Sequence, residues 1–300
     1  MKKISLVLIC LFALQFVFAQ SVIDSSFHFR IAQPIFSKEK GPLVSIDEAH
    51  NNVHTARTGW STMANLLTED GFRVQRNAVS FTKESLAPVD ILVIVNPLHE
   101  SNIRKWKLPC PSAFSEEEIK VVKDWVLQGG RLFIAADHMP IGGAVQELAS
   151  AFGVEWGNCF DFHKKNRWPP ATFDRVSGML VKSVLTDSST NTFQIDKIGT
   201  FTGSAFRGDS LQPILQFDDS YVLKYPQVAW QFNKKTKEET AEGWYQGAYG
   251  RFGKGKVVFM GEAAMFTAQI RKRTKIGMNS ELVPDNKLLA LNIFRFLSRE

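Results

Sequence analysis

From Pro42 onward the chain alternates short apolar runs with amphipathic stretches, the pattern of parallel strands covered by helices on both faces. Leu43-Val44-Ser45-Ile46 predicts a first strand. A helix is expected from about Gly59 to Asp70, with Trp60, Met63, Leu66 and Leu67 on one side and Gly71 placed to end it in a left-handed cap. Phe72 to Arg76 follows as a second strand, and Ile91-Leu92-Val93-Ile94-Val95 reads as a strand buried on both faces. Ser115 and Glu118 form a capping box, so the next helix starts there, lined by Ile119, Val122, Trp125 and Val126 and stopped at Gly129. Phe114 and Ile119 stand where a hydrophobic staple would pack. Leu132-Phe133-Ile134-Ala135-Ala136 is then another buried strand, and Gly143 to Phe152 another helix.

Between about 158 and 250 the grammar changes to short strand-like pieces broken by Pro, Gly, Asn, Asp and Ser. Thr192 to Ile195, Pro213 to Phe217 and Val228 to Phe232 predict an inserted antiparallel region packed beside the main sheet. The strand-helix pattern resumes at Lys256-Val257-Val258-Phe259-Met260 and closes with a helix from Asp285 carrying Leu289, Ile293 and Phe296. The whole predicts one α/β domain over 20–300, a doubly wound and mainly parallel sheet with that insertion.

The first residues do not belong to this pattern. Lys2 and Lys3 precede an apolar run from Ile4 to Phe18, and Val17-Phe18-Ala19 offers the small residue at which a signal peptidase cuts, so residues 1–19 are expected to be removed from a periplasmic or secreted product. The run is shorter than the roughly 20 residues of a spanning helix, so no transmembrane segment is expected after cleavage. Hydrophobic residues make up 44% of the chain, with 24 Phe and 7 Trp, enough to fill a sizeable core. Net charge is +6 and falls by two without Lys2 and Lys3, a mild excess that does not call for a nucleic-acid partner. Cys110 and Cys159 remain after processing, and an oxidising compartment would let them pair if the fold brings them close.

Asp47-Glu48-Ala49-His50 matches the acidic box of a helicase class, but no phosphate-binding loop precedes it, so that reading falls. Position is more informative than motif. In open α/β sheets ligands bind beyond the carboxyl ends of the strands, and the residues expected there are Asp47, Glu48, His50, Asn51, His54, Asn96, Asp137, His138 and Glu262. His99 lies in the loop beyond Asn96. Such a set can hydrogen-bond a small polar or carbohydrate ligand. It can also hold a divalent metal such as zinc on His50, His54 and His138, with Glu48 or Asp137 as the base of a metal-assisted hydrolase. Gly142-Gly143 could present amides to an anionic group, and Trp244-Tyr245 and Trp168-Pro169-Pro170 could stack on sugars.

Ile46-Asp47-Glu48-Ala49-His50-Asn51, the Ser115 to Asp137 segment with Gly129-Gly130-Arg131-Leu132, and Gly253-Lys254-Gly255-Lys256-Val257-Val258 leading to Gly261-Glu262 and Asp285-Asn286 together resemble the DUF4350 family of the class I glutamine amidotransferase-like superfamily. The resemblance implies a flavodoxin-like layered sheet. It does not imply glutamine hydrolysis, because the strand-to-helix elbow reads Ala136-Asp137-His138-Met139 and holds no cysteine. Three functional classes therefore stand: an exported binding protein, a metal-dependent hydrolase, and a non-catalytic module that docks to an envelope protein partner through the insertion.

Overall fold

The computed structural model describes residues 21–165, 171–189 and 192–299. The expected leader over 1–19 and the Trp168-Pro169-Pro170 stretch lie outside the described residues. Of the described residues, no helix is long and apolar enough to cross a membrane.

The centre is a nine-stranded mixed sheet. Its strands in chain order are β1 Leu43–Asp47, β2 Arg73–Asn77, β3 Ile91–Val95, β4 Arg131–Ala135, β5 Glu155–Trp156, β6 Phe206–Arg207, β7 Gln212–Gln216, β8 Tyr245–Phe252 and β9 Gly255–Met260. They lie in the order β2-β1-β3-β4-β9-β8-β6-β5, with β7 paired to β8. β2, β1, β3, β4 and β9 are mutually parallel, and the pairings of β8, β6, β5 and β7 are antiparallel.

In the parallel half the apolar runs serve both faces. Ile91, Val93 and Val95 of β3 enter one core with Trp60, Met63, Leu66 and Leu67 of α1 Ser61–Glu69 and with Leu289, Ile293 and Phe294 of α3 Asn286–Leu297. Leu92 and Ile94 enter the other core, with Val122 and Val126 of α2 Glu116–Leu127 and with Leu148 and Ala149. The alternation of side chains along a strand is what splits one apolar run between two cores. Gly71 ends α1 at φ +90°, where an added Cβ would lie 2.3 Å from the Phe36 carbonyl oxygen. The Ser115 box forms as expected, its hydroxyl accepting from the Glu118 amide while the Glu118 carboxylate accepts from the Ser115 amide at 3.1 Å.

The inserted region is more integrated than its sequence suggests. Part of it forms small sheets: Phe160–His163, Tyr221–Tyr225 and Lys237–Thr240 in one, Ala171–Asp174 and Lys197–Thr200 in another. But β6, β7 and β8 join the main sheet, β8 pairing along the whole of β9, so that β9 does not end the sheet with unpaired backbone groups. Two expected strands are absent. Val228 makes only an isolated bridge to Lys107, and Trp230 at φ +66° turns the chain out of extension; Thr192 makes only a bridge to Ser189. The helix expected from Gly143 to Phe152 is two short pieces, Ile141–Ala144 and Gln146–Ser150. Cys110 and Cys159 are free thiols rather than a disulfide.

Candidate functional site

The carboxyl ends of the parallel strands gather most of the expected polar residues, but in two separate groups. The first is built on the loop after β1. Asp47 is fully buried and accepts from His50 Nδ1 through both oxygens at 2.9 Å, from Asn52 Nδ2 at 3.0 Å and from the Ala49 amide at 3.2 Å. His50 bonds through its other ring nitrogen to Glu118 Oε1 at 2.9 Å and lies between the rings of Phe81 and Phe114, with centroids 4.6 and 4.7 Å away. Burial opposes protonation of His50, yet the hydrogen bonds and charges of Asp47 and Glu118 outweigh it and raise its pKa. Glu118 also accepts from the Phe81 amide at 3.0 Å, so one carboxylate caps α2, holds the Phe81 loop and fixes His50.

Glu48 is turned elsewhere, ion-paired with Arg76 of β2 and accepting from the Ala56 amide at 2.9 Å. Asn51, at φ +49°, donates to the Leu98 carbonyl at 3.2 Å. His99 caps the short turn Glu100–Asn102. None of Asp47, Glu48, His50 or Asn51 lines the cleft described next.

The second group lines a cleft of about 460 Å³ whose wall includes His54, Asp137, His138, Glu262, Phe162 and Trp230. Asp137 stands two residues beyond the end of β4. Its Oδ1 accepts from the Ala263 amide at 2.6 Å, and its Oδ2 from Asn96 Nδ2 at 2.7 Å. Asn96, buried at the end of β3 with φ +46°, closes the pair by accepting from the Asp137 amide at 3.0 Å. Asn96 is therefore a positioning residue. Glu262, fully buried after β9, accepts from the Ala264 amide at 3.1 Å and from the Met265 amide at 2.7 Å.

Behind them Asp161 accepts from the Gly203 amide at 2.9 Å and from Gln246 Nε2 at 2.7 Å. Burial raises all three acids: Asp137 to about 6, Asp161 to about 7, and Glu262 well above its ordinary value, the neighbouring Asp137 charge adding to the effect.

The cleft imidazoles behave in the opposite way. Burial lowers His54 and His138 to about 4, so both are neutral near pH 7. The His138 ring stacks on Phe160 at 4.2 Å and 12°, with Trp230 edge-on at 4.7 Å. His54 packs over Gly59, where an added Cβ would lie 2.0 Å from its Nδ1.

The metal set expected from sequence does not assemble. His50 is engaged on both ring nitrogens and lies outside the cleft holding His54 and His138, and among the described residues no group of three or more His, Cys, Asp or Glu side chains is arranged to hold a metal ion. Gly142 and Gly143 serve packing instead of anion binding: an added Cβ at Gly142 would lie 2.6 Å from the Gly157 carbonyl oxygen, and the Gly143 amide already donates to Asn158 Oδ1 at 3.0 Å. Trp244 is buried beneath Arg207, whose guanidinium carbon sits 4.4 Å from the ring centre, so it offers no sugar-stacking face.

Asn52, Glu118, Asp161 and Trp230 were missed by sequence reasoning. Glu118 reads there only as a cap, and Asn52 is one more polar residue in a loop. Asp161, an acid between Phe160 and Phe162 on a strand, carried a usable signal because alternation sends it to the face opposite those rings.

No family model matches the chain, and no curated protein matches it. Among solved structures it is similar to the mmIFT52 N-terminal domain, at 13% identity and a TM-score of 0.58, covering 86% of this chain and 98% of that one. It is also similar to a putative ThuA-like protein from Bacteroides uniformis, at 11% identity and a TM-score of 0.45, covering 86% of this chain and 92% of that one. At these identities the first likeness is one of fold alone.

Proposed function

We propose that this chain is an exported binding protein that takes a polar ligand of the carbohydrate class in the cleft between His54, Asp137, His138, Trp230 and Glu262. One observation carries the reading: aromatic walls and buried hydrogen-bonding groups converge at the carboxyl ends of the parallel strands β3, β4 and β9. Sugars are bound in this manner, an apolar ring face lying on an aromatic side chain while hydroxyls reach fixed acceptors. Trp230 suits the platform role, being 51% exposed yet held at φ +66°, a conformation that bulky residues adopt only where surrounding structure imposes it. Thr202, at φ +127°, lines the same cleft.

The layered arrangement of β1 to β4 with helices on both faces supports placing the fold with the class I glutamine amidotransferase-like proteins. The thiols argue against amidotransferase chemistry in this member. Burial raises the pKa of both Cys110 and Cys159, which disfavours the nucleophilic thiolate, and Asp137 and His138 occupy the elbow position. Titration of the purified protein with a panel of mono- and disaccharides, read by tryptophan fluorescence, tests the proposal. At least one sugar is expected to give a saturable change that Trp230→Ala removes; a panel without any saturable response, or a response untouched by Trp230→Ala, contradicts it.

A further inference from the structure

We propose that the ligand of this cleft carries an ammonium group, as an amino sugar does, and that a neutral sugar is the weaker partner. This rests on reading the cleft as a ligand site and adds the charge of what it accepts.

Three polar groups of the cleft, Asp137, Glu262 and His138, offer acceptor atoms. His138 Nδ1 lies 2.7 Å from the Met139 carbonyl oxygen, and only an N–H can bond a carbonyl, so the proton of the neutral ring is on Nδ1 and Nε2 presents a lone pair. His138 is 7% exposed and lines the cleft, and its Nε2 has no protein partner among the described residues. Asp137 forms the floor beside it and Glu262 is buried behind, both accepting from donors and neither ion-paired with Lys or Arg among the described residues. A buried acid without a counter-charge is costly when ionised, and a ligand cation would supply that counter-charge.

The walls favour the same partner. Phe162, Phe201, Trp230 and Phe232 line the cleft. Trp230 and Phe232 pack edge-on against the buried Phe160, with centroids 4.8 and 5.2 Å away, so the aromatic wall is one continuous cluster. A ligand cation placed over the half-exposed Trp230 ring would be attracted by its quadrupole. The titratable groups facing the space are His54, Asp137, His138 and Glu262, with Asp161 behind and Arg271 at the rim. Arg271 is exposed, so water and salt screen its charge, whereas the acids lie where screening is weak. An anionic ligand would have to approach those acids.

Isothermal titration at neutral pH with glucosamine, N-acetylglucosamine, glucose and tetramethylammonium tests the inference in the intact protein. Glucosamine is expected to bind about tenfold or more tightly than either neutral sugar. Its binding should release protons, seen as an enthalpy that depends on the buffer, as the ammonium draws Glu262, whose pKa burial holds well above its ordinary value, into its ionised form. Asp137→Asn should erase the preference. Trp230→Ala, at an exposed position, should weaken glucosamine without unfolding the protein and guards against misfolding of the acid variant.

Neutral sugars binding as tightly as glucosamine would overturn the inference and leave the carbohydrate reading standing. Tetramethylammonium binding without any sugar would support the cation and overturn the carbohydrate class. Binding of none of the probes would overturn both.

Discussion

The two polar groups at the carboxyl ends of the strands are built from the same residue types and do opposite things. Around Asp47, His50, Asn52 and Glu118 every charged atom meets another protein atom, and the histidine is bound at both nitrogens. Around His54, Asp137, His138 and Glu262 the carboxylate oxygens are bonded too, but the group borders a cleft and His138 Nε2 has no protein partner among the described residues. Saturation of the imidazole nitrogens, more than residue identity, separates a structural knot from a site that can still take a partner. The direction of the histidine pKa shifts marks the same division: up for His50, held by acids, and down for His54 and His138, where burial dominates.

Substitution breaks the comparison most strongly in the saturated group. Asp47→Ala leaves His50 and Asn52 without their acceptor in a fully buried setting, and a loss of about 3 to 5 kcal/mol is expected in urea unfolding, with sugar affinity of the remaining folded protein unchanged. Equal loss of stability and affinity would show that the groups are one site.

Gly59→Ala comes next. Its Cβ would lie 2.0 Å from His54 Nδ1 and 2.7 Å from its Cε1, so the ring must move, at a cost of about 1 to 3 kcal/mol in stability and with weakened binding. Unaltered binding in that variant would remove His54 from the cleft's working set.

Trp230→Ala should reverse the balance, costing less than about 1 kcal/mol in thermal unfolding because the ring is half-exposed, while lowering sugar affinity roughly tenfold.

The smallest effect is on pH. Asp137 and Asp161 have raised folded pKa values, so their contribution to stability is complete below the ordinary carboxylate range and is lost as pH rises through about 6 and 7, and Glu262, raised well above its ordinary value, acts in the same direction. His50, also raised, contributes in the same direction. His54 and His138 are lowered from 6.5 to about 4, so theirs is complete above 6.5 and is lost as pH falls towards 4. The three acids outnumber the two lowered imidazoles, so unfolding midpoints should already fall from about pH 5 upward, and Asp161→Asn should flatten that fall. A midpoint climbing steadily to pH 9 would contradict the buried, uncompensated acids.

The parallel half was legible because its cause is local. Ile91 to Val95 and Leu132 to Ala136 are apolar throughout, and strands of that kind need cover on both faces. The Ser115 cap and the Gly71 stop are set by neighbours a few residues away. The antiparallel half was less legible because the pairing of β8 with β9 and β7, or the bridge from Lys107 to Val228, depends on partners that no local pattern names. Position at strand ends picked out Asp137, His138 and Glu262, which line one cleft, but it could not separate them from Asp47 and His50, because Glu118 and Asn52 complete that knot from other places in the chain.

The most direct test is nitrogen-15 NMR of the imidazole side chains during titration with the tightest-binding sugar. His138 and His54 ring nitrogens should shift with ligand while those of His50 stay fixed between Asp47 and Glu118. A shift at His50, or none at His138, would contradict the division between saturated knot and open cleft.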